Sequence, residues 1–265
     1  MEQRLTDQEK KLSLNTKKLV YSELRAMLNY AVKMEYMPVN PLKKVGNFTD
    51  SAGIKKEMQY YTATEFRQFI SAAEGFALER ETMSEDLSEW DFYVFFNIAF
   101  YTGLRKGEIH ALKWSDLSSS HLSVRRSIAQ TKVGADKETS PKSVKSIRTL
   151  QMPLPLIKIL DEHKKRQEML KGFSDDFRVC GGYACLRDGR VSDRNAKIAK
   201  QSGLKRIKIH EFRHSHVSVL ANAGINIQEI SRRLGHAKIE MTWNTYSHLY
   251  PREEEKAVDI LNSID

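Results

Sequence analysis

The segment WDFYVFFNIAFY, Trp90 to Tyr101, constrains the fold more than any other. It is apolar on nearly every side, and such a helix is stable only where other elements surround it. The run from Phe92 to Tyr101 is interrupted by Asn97 and is too short to span a bilayer. The chain must therefore build a sizeable globular core around this helix. Its 265 residues suffice for one large domain, or for one of ordinary size with a smaller partner. A hydrophobic share of 40% beside 29% charged residues agrees, and argues against an overall disordered chain.

The flanking pattern predicts a mainly α protein with a small antiparallel β-sheet. Leu19, Leu24, Met27, Leu28, Ala31 and Val32 recur at three- and four-residue steps, predicting a helix from Asn15 to Tyr36. Pro38 and Pro41 end it, since each disfavours helix in the residue before it. From Lys43 to Tyr60, glycine, asparagine and charge follow no period and read as a linker. The chain thus divides into a partial helical module (1–45), a linker (46–60) and a main domain (61–265). Thr62-Ala63-Thr64-Glu65 has the form of a capping box opening a helix through Ala73. Alternation predicts strands at His121–Gln130 and Val144–Met152, joined by an exposed polar connection from Thr131 to Lys142. Helical spacing returns from Pro155 to Lys171, and the last third alternates helical runs with breaks at Gly203, Gly224 and Gly235.

Charge narrows the partner. Lys and Arg number 43 against 34 Asp and Glu, a net charge of +9 and a pI near 9.4. That excess favours polyanions, nucleic acid before an anionic membrane surface. The N-terminal MEQRLTDQEKKL has no apolar core behind it and does not read as a secretory signal. Cys180 and Cys185 form neither a CxxC nor a disulfide framework and read as inert thiols of a soluble protein in a reducing compartment.

Two chemistries compete for His210-Glu211-Phe212-Arg213-His214. As HExxH on a helix, two histidines four apart would bind zinc, with the glutamate between them as general base. The cationic Arg213 beside a divalent ion is adverse, and neither His236 nor Glu240 is fixed as a third ligand. As a phosphate site, His210 and Arg213 place an imidazole and a guanidinium three residues apart on one helix face. The planar guanidinium fork matches two phosphate oxygens.

Five motifs stand in order: TGLRKGEIHALKW (Thr102–Trp114), PKSVKSIRTL (Pro141–Leu150), HEFRH (His210–His214), LGH (Leu234–His236) and TWNTYSHLYP (Thr242–Pro251). With them the chain, from about Tyr61 onward, resembles the tyrosine recombinases, specifically the phage and conjugative-transposon integrases. The resemblance implies that Arg105 and Arg213 clamp a scissile phosphate and that Tyr246 attacks it, giving a 3′-phosphotyrosyl enzyme. It further implies that Lys142 protonates the leaving 5′-oxygen, with Lys145 and Lys132 as alternatives on the same connection. His210 would assist proton transfer at the tyrosine, His236 would hydrogen-bond the phosphate, and Glu108 would orient the cluster from behind. Tyr250 is the alternative nucleophile. His214 and His248 are expected to serve packing or hydrogen bonding.

Of the family's helical core-binding domain only the final portion, about Leu12 to Val45, is expected here, and its arm-binding domain is expected to have no counterpart. The implied partner is double-stranded DNA at recombination sites, bound by a homotetramer, with an excision factor as a possible accessory. The C-terminal segment, Arg252 to Asp265, would pack on a neighbouring subunit. No metal or other cofactor is implied, and the setting would be a bacterial cytoplasm at the nucleoid. Candidate DNA contacts are Lys17, Lys18, Arg25, Arg125, Arg126, Lys205 and Arg206, with Lys208, Arg232 and Arg233 beside them. A non-catalytic DNA-binding relic and a zinc hydrolase are the competing functions.

Overall fold

The computed structural model describes residues 12–49, 58–84, 86–131, 136–139, 147–250 and 254–264. The chain falls into two compact units, residues 1–57 and 58–265.

In the first unit, helix α1 (Leu14–Lys33) starts at Ser13, whose hydroxyl accepts the Thr16 amide at 3.1 Å. It stops short of the expected Tyr36 because Glu35 takes a left-handed conformation, φ 63°. The amide of Tyr36 then turns back to the carbonyl of Ala31. Behind the helix, buried Asn40 donates to Asn29 Oδ1 at 2.7 Å and accepts the Leu42 amide at 2.9 Å. The hydroxyl of buried Tyr21 donates to the carbonyls of Leu42 and Val45. Leu19, Leu24 and Met27, whose spacing predicts a core face, are exposed in the described unit. So short a segment carries too little apolar surface to cover them itself.

The second unit is organised by the apolar helix. Helix α2 (Ala63–Ser84) opens on the expected box: the Thr62 amide donates to Glu65 Oε2 at 2.8 Å, and the Glu65 amide to Thr62 Oγ1 at 3.2 Å. It runs well past Ala73, since no proline interrupts it. Helix α3 (Ser88–Thr102) is buried over most of its length, as its composition requires. Phe66 of α2 stacks on Phe100 of α3 with centroids 3.7 Å apart. Phe69, Phe96 and Phe212 form a fully buried ring cluster with centroids 5.1–5.3 Å apart. Phe212 lies on α7 (Glu211–Asn222), so this cluster fixes the helix bearing the HEFRH motif against the centre of the core.

Between α3 and α7 lie helix α4 (Lys106–Ala111), strands β1 (His121–Val124), β2 (Ser127–Ala129), β3 (Lys137–Thr139) and β4 (Arg148–Gln151), helix α5 (Leu154–Glu168) and helix α6 (Asp188–Gln201). The single strand expected from His121 to Gln130 is broken at Arg125-Arg126, where Arg126 turns its guanidinium onto the buried carboxylate of Asp116. Its two halves find different antiparallel partners. In one, β1 pairs with β4 and Leu122 faces Leu150; in the other, β2 pairs with β3 and Ile128 faces Glu138. The connection expected to be irregular thus contains β3. The N-terminal part of the other expected strand, Val144 to Ser146, lies outside the described residues.

Past α7 come α8 (Ile227–Leu234), α9 (Ile239–Tyr246) and α10 (Glu254–Asn262). Val217, Ala221, Ile230, Leu234 and Tyr246 form a second, smaller core between α7, α8 and α9. No helix of the described residues is long and apolar enough to cross a membrane.

Candidate active site

Arg213 joins three of the sequence motifs. It lies on the first turn of α7 and is 2% exposed. Its Nη1 donates to the carbonyl of Gly103 at 2.7 Å and its Nη2 to the carbonyl of Leu234 at 2.7 Å. The same Nη2 lies 2.8 Å from His236 Nε2. Burial first, and then the charge of Arg105, bring this guanidinium down to about 9, so it remains cationic at neutral pH. Gly103 closes α3 in the left-handed conformation, φ 64°, and a Cβ there would stand 2.7 Å from the His216 ring. Glycine is what lets the chain turn this tightly and present its carbonyl to Arg213.

Two residues on, Arg105 caps α4 from outside. Its amide donates to Glu108 Oε2 at 2.8 Å, and its Nη1 reaches Oε1 at 3.2 Å, with the side chain 41% exposed. Glu108 is itself buried and held from the other side by Arg148, through Nη1 to Oε1 at 3.1 Å and Nη2 to Oε2 at 2.9 Å. Arg148 Nε donates to the carbonyl of Arg233 at 2.8 Å, tying β4 to the end of α8. Burial alone would raise the Glu108 carboxyl. The hydrogen bonds and charge of Arg148, then those of Arg105, outweigh it and hold the group below the ordinary glutamate range. The reading of the motifs missed Arg148. Its signal was an arginine two residues before Leu150, on the inward side of a strand, where a buried cation needs an acid.

Helix α9 is fastened at two points one turn apart. Thr242 and Tyr246 are both buried on the side facing α7. Thr242 Oγ1 lies 2.7 Å from His236 Nδ1. Since an arginine can only donate, His236 Nε2 accepts from Arg213 and its proton sits on Nδ1, donated to Thr242. Burial, Arg213 and Arg105 push His236 down to about 4, so it is neutral. The Tyr246 hydroxyl lies 2.7 Å from His214 Nδ1. Burial raises the phenol to about 12 against the opposing pull of Arg213 and Arg105. His214 is likewise driven down to about 4, by burial first and then by His210 and Arg213. His210 stands exposed at the start of α7, its ring centroid 5.2 Å from that of His214. Partial burial, then Arg213 and Arg105, lower it.

Arg105, Glu108, His210, Arg213, His236 and Tyr246 therefore gather from four motifs around one locality, with Arg148, His214 and Thr242 supporting them. Lys142, Lys145 and Lys132 lie outside the described residues. Tyr250 is turned away, its hydroxyl on the carbonyl of Ile225 at 2.8 Å. The zinc arrangement finds no counterpart: Glu211 accepts the Lys208 amide, and His214 is engaged by Tyr246. Among the described residues no three His, Cys, Asp or Glu side chains are grouped to hold a metal ion.

The candidate DNA contacts divide by what holds them. Lys17 and Lys18 are half-buried and Arg25 exposed, all on α1. Arg125 is exposed with Nε 3.9 Å from Asp116, whereas Arg126 is bound by Asp116 and lies 3.8 Å from Glu138. Lys205 and Arg206 are exposed, donating to Gln59 and Ser192, each at 2.6 Å. Lys208 is exposed, while Arg232 pairs with Glu229 through two contacts of 2.7 Å. Arg233 is half-buried against His216 and the Tyr101 carbonyl.

A helical unit fixing two arginines, two histidines and a buried tyrosine in this order defines the class of the tyrosine recombinases. The phage integrase family matches residues 60–253, and the phage integrase SAM-like domain matches residues 1–49. The chain belongs to the phage integrase family, whose members catalyse DNA strand exchange. It is 31% identical over 275 residues to a XerC-like tyrosine recombinase of Caldanaerobacter subterraneus subsp. tengcongensis, covering 95% of this chain and 67% of that one. It is 29% identical over 252 residues to the ICEBs1 integrase of Bacillus subtilis, covering 92% and 64%. The chain spans about two thirds of the length of the curated relatives it matches.

The same fold occurs in the Tn1549 transposon integrase in complex with transposon right end DNA, with a TM-score of 0.71 at 21% identity, covering 99% of this chain and 83% of that one. It occurs also in the XerH site-specific recombinase bound to a palindromic difH substrate, with a TM-score of 0.63 at 22% identity, covering 95% and 68%.

Proposed function

We propose that this chain is a site-specific DNA recombinase of the integrase type, which cleaves and rejoins strands through a 3′-phosphotyrosyl intermediate at Tyr246. One observation carries the reading. Arg213 is buried yet faces neutral carbonyls, so its charge is not cancelled there, and the charges of Arg105 and Arg213 are both felt at the Tyr246 phenol. A phosphodiester repels a nucleophile, and more charge develops in its pentacoordinate transition state. Preorganised guanidinium groups stabilise that charge in a site sheltered from water.

Tyr246 Oη would bond to phosphorus as the bond to the 5′-oxygen breaks, with Lys142 supplying the proton to that oxygen. The ester conserves the bond energy, so rejoining needs neither ATP nor a metal. His236 would hydrogen-bond the phosphate as the Nε2–H tautomer, with the Thr242 hydroxyl then donating to Nδ1, and His210, at the rim, would assist proton transfer. Double-stranded DNA is the partner in this reading, supported by the basic charge and by the DNA-bound structures of the Tn1549 integrase and XerH. The exposed apolar residues Val258, Ile260 and Leu261 on α10 offer a surface for association between copies, which this reading takes to a homotetramer.

The test is a nicked substrate that traps the covalent adduct. The protein should become linked to DNA through Tyr246, and Tyr246→Phe should bind DNA without forming the adduct. Salt-sensitive binding with no adduct from the intact protein on its own attachment site would instead identify a relic.

A further inference from the structure

The sequence motifs leave His214 without a chemical task, yet its imidazole, not that of His210, touches the buried phenol. The contact is 2.7 Å from His214 Nδ1 to Tyr246 Oη, with ring centroids 5.5 Å apart. Tyr246 is 2% exposed, and among the described residues its hydroxyl makes no other hydrogen bond. A buried hydroxyl without an acceptor is costly, so the phenol is satisfied by donating a hydrogen bond to this nitrogen. His214 follows Arg213 directly on α7. One short stretch of helix therefore fixes both the guanidinium for the phosphate and the acceptor for the tyrosine. Thr242, one turn before Tyr246, completes the register of α9 by meeting His236.

We propose that His214 is the positioning residue for the Tyr246 nucleophile, holding its hydroxyl in register with Arg213 through a phenol-to-Nδ1 hydrogen bond made within one subunit. The proposal rests on the recombinase reading for its consequence and on the geometry for the contact itself. An aromatic nucleophile on a short helix has rotational freedom about its side chain. A fixed acceptor removes that freedom before DNA arrives, and misplacing a reacting group by an ångström can cost about 100-fold in rate.

Two substitutions separate hydrogen bonding from packing. Asparagine places an oxygen where Nδ1 sits, so His214→Asn keeps an acceptor with less volume; His214→Leu keeps apolar volume with no acceptor. We expect DNA affinity close to the parent's for both, with a melting temperature near the parent's in His214→Asn and lower in His214→Leu, where the buried phenol loses its acceptor. The single-turnover adduct rate should fall about 100-fold in His214→Leu and within about tenfold in His214→Asn. Equal rates in both variants, whether both normal or both lost, or a faster leucine variant, would overturn the proposal.

A second measurement needs no activity. With 15N-labelled histidine, the His214 Nδ1 resonance should report an unprotonated, hydrogen-bonded nitrogen that shifts in Tyr246→Phe. No shift would overturn it. Absence of any adduct from the parent protein would fall on the recombinase reading, and the resonance would still decide the contact.

Discussion

Replacing Arg148 by leucine tests the frame behind the site. Glu108 and Arg148 are each 7% exposed and meet through two hydrogen bonds of 3.1 and 2.9 Å. Leucine leaves the carboxylate buried with the Arg105 contacts alone, the situation in which breaking a buried pair costs about 3–5 kcal/mol. For a unit of this size each kcal/mol moves the midpoint by about 2–4 °C, so the melting temperature should fall by roughly 6–20 °C at pH 8.

The pH dependence carries the diagnosis. In the parent, Glu108 is held low, so its stabilisation is complete above the ordinary glutamate value of about 4.3 and is lost as pH falls through the folded value. In Arg148→Leu, burial is opposed by Arg105 alone and pushes the carboxyl up relative to the parent. Its penalty is full at neutral pH and is relieved as protonation begins. The gap between parent and variant should therefore narrow from pH 8 to pH 5. Glu108→Gln in the variant background should recover part of the loss. Calorimetry showing a gap below about 1 kcal/mol, or one constant with pH, would refute an ion pair as what Arg148 supplies.

Gly103→Ala should destabilise by at least the roughly 1–2 kcal/mol of a left-handed non-glycine residue, because its Cβ also meets the His216 ring; thermal melts read this. Thr242→Val keeps shape but removes the acceptor of the His236 proton, so stability should drop by about 1 kcal/mol and the adduct rate by more than DNA affinity. His216, buried and pushed down to about 3 by burial first and Arg233 next, stabilises the fold above its unfolded value of about 6.5 and ceases to as pH falls. Between pH 7 and pH 5 the parent should lose about 2 kcal/mol that His216→Asn does not, measured by urea unfolding at both pH values.

What the sequence made legible follows the range of the forces involved. The burial of α3 and the capping box at Thr62 depend on residues a few positions apart, and both stand where periodicity and turn chemistry put them. The break at Arg125-Arg126 depends on Asp116, which lies in another local element, so alternation alone ran the strand through it. The end of α1 turned on a left-handed glutamate that propensity does not foresee. At the site, motif spacing brought out the arginines, His236 and Tyr246. Arg148 escaped, and His214 was expected to pack or hydrogen-bond with no partner named, because their partners lie 40 and 32 residues away, which a reading along the chain cannot pair.

The three arginines show why the cluster needs both kinds of partner. Arg148 is met by a carboxylate in bidentate contact, so its charge is cancelled locally and its fork serves to brace β4, α4 and α8. Arg213, buried more deeply still, is met by two carbonyls and a neutral imidazole, which satisfy donors while leaving its charge uncancelled. Had the acceptors been reversed, the brace would carry the field and the clamp would be neutral. With Glu108 shared between Arg148 and Arg105, the assembly keeps a surplus of positive charge directed at the side where Arg105 is exposed. A dianionic phosphorane there would be stabilised by groups already ordered, without waiting for solvent to reorganise. The charge asymmetry among the arginines, more than their number, is therefore what suits this locality to the anion of the proposed reaction.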